Sequence, residues 1–329
     1  MKALSTGGSL KPFSVERYRD RIAKQIGDDQ AKYLIFSASR HAIIKDRQQV
    51  GGLADRLKGI YSAFLMAVAT GRVFLIDWET PFALSDNLKP RDYDWHVEPH
   101  LKILGQRSET IHLDMIDKRG NILKETPPDR LEQDIFGGRQ NCVLNINWLY
   151  AEPYLKFFDL PQSDDGAFRQ IFDFLFEPLM SRDLASEMTQ LDKRKRSHDG
   201  LFGIHLRIGG DAAWLDPKLD KPRSYRPLMK AAFAFAAKRG SRDPLFYFAS
   251  DSEKAKRSVA KRDWPHPVVT IAGPIQHLDR SSDMTRQGND FTFFEFEMLR
   301  QCDGVIGGAG AFYSTAAMAG GKPYTTYRD

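Results

Sequence analysis

Leu53, Leu57, Ile60, Tyr61, Phe64, Leu65 and Val68 recur at the spacing of a single helical face, and no other feature constrains the chain as much. Gly51 and Gly52 precede this stripe, and Gly71 stands where glycine commonly ends a helix. Apolar runs flank it at 32–37 and 72–78, each short enough to be a buried strand. Strand, glycine turn, helix, strand is a βαβ unit, and a crossover of this kind joins parallel strands. The loop between the first strand and the helix is basic, with Arg40, His41, Lys45 and Arg47.

The same rhythm returns in the second half. Strands are expected at 201–207, 244–250, 267–272, 304–307 and 323–327, with helices at about 225–239, 252–262, 290–301 and 311–319. Such alternation predicts a doubly wound α/β sheet whose ligands lie outside the carboxyl ends of its strands. The middle of the chain is less regular. Residues 86–134 mix charges, prolines and short apolar runs, which suits irregular connections on an acceptor-side surface. A strand is expected at 142–147. A helix is expected from 166 to about 188 along the stripe Phe168, Ile171, Phe172, Leu175, Phe176 and Leu179, kinked at Pro178. Lys193 to Arg196, with Asp199-Gly200 behind them, read as a solvated linker. That divides the chain into an N-terminal α/β domain, 1–195, and a C-terminal Rossmann-like domain, 196–329.

At 329 residues the chain is long enough for two such domains, and 42% hydrophobic content is enough for two cores. A net charge of +5 suits an anionic ligand but is too small to argue for nucleic acid. Cys142 and Cys302 are too far apart in sequence for a CxxC metal site or a disulfide framework. The first residues lack the apolar core of a signal peptide, and no run approaches the length of a membrane span. The expectation is a soluble, cytoplasmic protein with no integral membrane segment.

Three constellations carry chemistry. In the first, His205 and Arg207 lie two apart on a strand, so they share a face; Gly209, Gly210 and Asp211 follow. An arginine at a strand end beside a glycine turn is suited to gripping a diphosphate through its two-pronged guanidinium. The alternative is a buried Arg207–Asp211 ion pair with His205 satisfied in the core. The second places Ser250 and Asp251 where a strand meets a helix, either as a ligand contact or as a helix cap. The third runs from an acidic helix bearing Glu295 through a short strand into Gly307-Gly308-Ala309-Gly310-Ala311-Phe312. Free amides at the start of the helix that follows form an anion site.

In this order the motifs resemble the GDP-fucosyltransferase superfamily of GT-B enzymes, which includes bacterial nodulation, α1,6-, α1,2-, xyloglucan and protein O-fucosyltransferases. The resemblance is carried by Gly51 to Leu57 running on through Gly71 to Trp78, by Phe174 to Pro178, by His205-Leu206-Arg207, and by Ser250-Asp251. It ends with Gln301 to Asp303 through Phe312 to Gly320-Gly321-Lys322-Pro323. It implies two Rossmann-like domains facing a cleft, and inverting transfer of fucose from GDP-fucose to a hydroxyl of a glycan or protein, with no metal and no cofactor. Arg207 would hold the β-phosphate and His205 would help to bind GDP. Ser250 and Asp251 would contact the nucleotide, and Glu295 would read the guanine. The turn of Gly310, Ala311 and Phe312 would cradle the phosphates, and Gly51, Gly52 and Arg56 would line the cleft from the N-terminal side. The sequence departs from the family in lacking a Ser/Thr pair at Gly310-Ala311, in having Ile208 after Arg207, and in placing Asp211 one residue late.

The catalytic base expected from the sequence is Asp211, with Asp216 second. Asp92-Tyr93-Asp94 has the letters of a metal-binding DxD but reads as a surface turn. Two other readings stay open: a GT-B transferase for a different sugar nucleotide, and a nucleotide- or glycan-binding module without turnover. A dehydrogenase is disfavoured, because no G-x-G-x-x-G follows a strand with an acidic residue at the right distance.

Overall fold

The computed structural model describes residues 14–26, 28, 30–38, 51–105, 110–116, 120–160, 165–209, 224–274, 276–278 and 284–328. Helix α1 (Val15–Ala23) leads into β1 (Tyr33–Ser37), which is buried at every position. The glycine pair opens α2 (Leu53–Thr70), and Gly71 closes it at φ 72°, in the left-handed region that suits glycine. Next come β2 (Val73–Asp77), β3 (Leu88–Pro90), α3 (Leu101–Gly105), β4 (Thr110–Asp114), α4 (Ile122–Glu125), α5 (Leu131–Asp134) and β5 (Asn141–Asn145). Strands β2, β1, β5 and β4 form a parallel sheet in that order, so its connections reverse direction between β1 and β5. Tyr18 fastens α1 to this sheet. Its hydroxyl donates to the Arg72 carbonyl at 2.8 Å and accepts from the Phe74 amide at 2.9 Å.

Helix α2 is buried along nearly its whole length, Arg56, Lys58 and Ser62 included, and not along the single stripe that its periodicity suggests. The sheet covers one side, and later helices cover the others. Among these are α6 (Glu152–Phe157) and α7 (Asp165–Leu175). The long helix expected over 166–188 ends at Leu175. Phe176 to Pro178 form β6, antiparallel to β3, because proline cannot supply the amide that would continue the helix. A separate helix follows, α8 (Arg182–Lys195), capped by Ser181. Lys193, Arg194 and Lys195 are its last turn, where cations suit the helix dipole, and Lys195 pairs with Asp303 at 2.9 Å. This basic run is therefore a helix end and not a linker.

The second sheet comprises β7 (Leu201–Leu206), β8 (Leu245–Ser250), β9 (Val268–Val269), β10 (Gly304–Gly307) and β11 (Tyr324–Thr326). It is parallel throughout, in the order β11-β10-β7-β8-β9. Helices α9 (Tyr225–Lys238) and α10 (Glu253–Ala260) cover one face, and α11 (Arg286–Arg300) and α12 (Phe312–Gly320) lie on the other side. The first face has its own core around Phe202, Ile204, Phe246 and Phe248. The second shares one continuous core with the N-terminal sheet, because α12 packs against both α7 and α2. Polar contacts also join the halves. Asn87 donates to Asp290 at 2.8 Å and bonds Asn289, while Arg286 reaches Asp86 at 2.6 Å.

Candidate functional site

Strand β7 is the centre of the second sheet. From it the chain passes to β8 and β9 on one side, and β10 and β11 lie on the other. The crevice outside the carboxyl ends of β7 and β10 is therefore where an open α/β sheet takes its ligand. His205 and Arg207 come from the end of β7, and Gly308 to Phe312 come from the turn after β10. All of them meet there, and the Gly308 amide donates to the His205 carbonyl at 3.3 Å.

His205 is 6% exposed, and its ring stacks on Phe312 with centroids 5.2 Å apart. Burial, helped by the positive charges of Arg207 and Lys256, pushes its pKa down to about 3, so the ring is neutral at pH 7. Its Nδ1 is buried and has no hydrogen-bond partner among the described residues. Buried polar atoms are rarely left unpaired, and the residue that carries this one lines the cavity. The expected core histidine is thus half satisfied: it is packed but not bonded.

Arg207 lies against Gly310, which sits at φ 80°. A methyl group added at Gly310 would come within 2.8 Å of Arg207 Nη1, so the glycine makes room for the guanidinium. Ala311 is the N-cap of α12 and offers no side chain to the first amides of that helix. Arg207, Ala311 and Phe312 line the same cavity, where the first amides of α12 carry the positive end of the helix dipole.

Asp251 lines the same cavity, but its two oxygens accept from the backbone amides of Ile208 (2.8 Å) and Gly209 (3.0 Å). It fixes the turn that aims Arg207. Ser250 is buried, and its hydroxyl accepts from the Ser252 amide at 3.3 Å; it does not line the cavity. The cap of α10 is Ser252, two residues beyond the strand end, so neither Ser250 nor Asp251 caps the helix.

Glu295 does line the cavity, but it is not in the first turn of its helix. Thr285 caps α11 earlier than the expected start, leaving Glu295 in the interior of the helix and facing Lys256. Its Oε1 is 2.7 Å from Lys256 Nζ, and both residues are buried. Burial raises the pKa of Glu295, and the lysine opposes that rise. Its place in the helix also rules out a dipole-complementing N-terminal acid.

From the N-terminal half, Gly52 reaches the cavity as the N-cap of α2. Gly51 and Arg56 do not line it. Arg56 is buried against Trp78, its guanidinium 4.8 Å from the ring centre. It donates to the carbonyls of Gly51 (3.0 Å) and Thr80 (2.5 Å), bracing the glycine turn from behind. Asp94 accepts from the His96 amide, and Tyr93 is buried between Asp92 and Asp94, as in a structural turn. Asp211 and Asp216, together with Gly210, lie outside the described residues, as does the basic loop of Arg40, His41, Lys45 and Arg47.

The cavity has further walls that sequence reasoning missed. Leu53, Ala54 and Asp55 come from α2, Phe291 and Thr292 from α11, and His277 lies beside Gly52. Gln276 locks its stretch of chain to the start of α11, accepting from the Thr285 amide at 3.1 Å and donating to its carbonyl at 3.2 Å. Asp55 sits inside the quoted glycine motif, so its place on the cleft was within reach of the sequence. The 274–278 segment carries no motif. Among the described residues no helix is long and apolar enough to cross a membrane.

No family model matches the sequence, and no curated protein matches it. Among solved structures, a mutant of the Arabidopsis thaliana fucosyltransferase FUT1 in complex with GDP is similar, with a TM-score of 0.54 and 14% identity. That match covers 96% of this chain and 74% of the other. The fucosyltransferase NodZ from Bradyrhizobium follows with a TM-score of 0.48, 15% identity and coverage of 87% and 92%. POFUT1 in complex with GDP has a TM-score of 0.47, 11% identity and coverage of 91% and 98%. The chain has a GDP-fucosyltransferase-like GT-B fold.

Proposed function

We propose that this protein is an inverting glycosyltransferase that moves fucose from GDP-fucose to a hydroxyl of a glycan or protein acceptor. One observation carries the reading. The unpaired His205 Nδ1, Arg207 and the uncapped start of α12 converge on one cavity at the reversal point of the second sheet. This is the equipment for a diphosphate. The GDP bound in the similar FUT1 structure supports the choice of nucleotide.

Breaking the bond between sugar and phosphate leaves additional negative charge on the β-phosphate. In this reading Arg207 and the α12 amides meet that charge, which strengthens their hold as the transition state forms. The reaction so written needs no metal and no cofactor. Neutral His205 offers Nδ1 to the nucleotide without adding charge. Residues 196–329 form the donor side, and the acceptor approaches from 1–195. The Lys256-bound Glu295 presents a carboxylate to the adjacent N–H donors of guanine.

Release of GDP from GDP-fucose by the full chain tests the reading. It requires turnover by the wild type and none by Arg207→Ala at unchanged fold. A second reading, a GT-B transferase for another sugar nucleotide, is favoured if a different nucleoside diphosphate stabilises the protein more than GDP does.

A further inference from the structure

We infer that Asp55 is the general base of the transfer, an assignment that rests on the sugar-nucleotide reading above. Among the described residues, three carboxylates line the cavity: Asp55, Asp251 and Glu295. Asp251 accepts from two backbone amides, and Glu295 is buried against Lys256. Both belong to the half that carries Arg207, so they stand on the leaving-group side. Asp55 is also paired with a lysine, but it differs in placement and exposure. It projects from the first turn of α2, in the opposite half, and its side chain is 39% exposed.

Its surroundings point the same way. Asp55 Oδ1 pairs with Lys58 Nζ at 2.9 Å, and Lys58 lies 5.1 Å from the centre of the Trp148 ring. Trp148 is among the most exposed large apolar side chains. The contacts therefore lead from the nucleotide cavity through Asp55 and Lys58 to an exposed aromatic side chain, the kind of group on which a sugar ring stacks. Gly51 has a role here too. At φ 96° it turns the chain where a side chain would strike the Asp55 Cβ at 2.6 Å, so the glycine leaves space for the aspartate.

The step balances within these groups. The acceptor O–H gives its proton to the Asp55 carboxylate as the acceptor oxygen bonds to the anomeric carbon. The bond from that carbon to the phosphate oxygen breaks, and its electron pair leaves on the phosphate held by Arg207. Inversion follows because attack and departure occur on opposite sides, which requires the base to stand away from the phosphate corner.

The test uses the full chain and GDP-fucose, with water or azide as the attacking group. Water must lose a proton and azide has none to lose. For Asp55→Asn, hydrolysis should fall by about 100-fold or more. Formation of the glycosyl azide should stay within about threefold of wild type, and GDP affinity within about twofold. Near-normal hydrolysis in Asp55→Asn overturns the assignment, and so does a parallel fall in the azide reaction or in GDP affinity, since either would mark a structural role. A wild type that neither binds GDP nor releases it from GDP-fucose removes the underlying reading first, an outcome separate from the others because it does not involve the variant.

Discussion

Arg207 occupies the space that a side chain on Gly310 would need, with Nη1 2.8 Å from where the Cβ would stand. The two residues follow neighbouring strands of the sheet, so the glycine sets how close the guanidinium comes to the turn that leads into α12. Gly310→Ala should therefore act twice. The backbone at φ 80° costs about 1–3 kcal/mol of stability, and Arg207 is displaced. Calorimetry should show GDP affinity reduced by about tenfold or more, comparable to part of a charge-assisted contact. Unchanged affinity would separate Arg207 from the phosphates.

Arg207 can be addressed directly. Arg207→Ala should abolish transfer while thermal unfolding stays cooperative, and Arg207→Lys should restore little, because a point charge lacks the planar fork. Most of the wild-type rate surviving in Arg207→Ala would take this residue out of the reaction.

His205 makes a prediction about acid. Its folded pKa of about 3 lies below the ordinary 6.5, so between those values the unfolded chain takes up a proton that the folded chain does not. The resulting stability is fully present above pH 6.5 and is lost as pH falls toward 3. His205→Phe keeps an aromatic ring against Phe312 and removes the titration. Going from pH 7 to pH 5, urea unfolding should show wild type losing about 2 kcal/mol more than the variant. Parallel losses would mean that His205 is not buried as a neutral ring.

These sites differ in how far the sequence revealed them. The βαβ unit around α2 and the second sheet were legible because apolar runs and glycine breaks alternate there with little interruption. The edge strand β4 was not: Thr110-Ile111-His112-Leu113-Asp114 has too few apolar residues to stand out. The chain near Pro178 misled because Phe176 continues the helical stripe by spacing while the proline ends the hydrogen bonding. His205, Arg207 and Gly310 were legible as strand ends and a glycine turn. Lys256 was not, since nothing in its helix signals that it will turn inward to Glu295 and pass 4.5 Å over the Phe291 ring.

Stability should depend on a different arginine. Arg72 is fully buried and bonds both oxygens of Glu132 at 3.0 Å, with further bonds to the carbonyls of Tyr33 (3.1 Å) and Arg139 (2.7 Å). Arg72→Met removes this donor from the Tyr33 and Arg139 carbonyls and should cost about 3 kcal/mol, because Glu132 keeps its ion pair with Lys32 and some contact with water. Denaturant unfolding measures this, and GDP affinity of the folded fraction should not change. A loss below about 1 kcal/mol would show that the network is replaceable.

The identity of the nucleotide is the central claim, and calorimetry of the wild type with GDP, UDP and ADP tests it most directly. Guanine presents two adjacent N–H donors that one carboxylate can accept together, and Glu295 is the buried carboxylate on the cavity wall. GDP should bind by about 1.5–3 kcal/mol more tightly than UDP or ADP, and Glu295→Gln should erase that margin while leaving the other two nearly unchanged. Equal affinity for the three nucleotides in the wild type would contradict the GDP-fucose account.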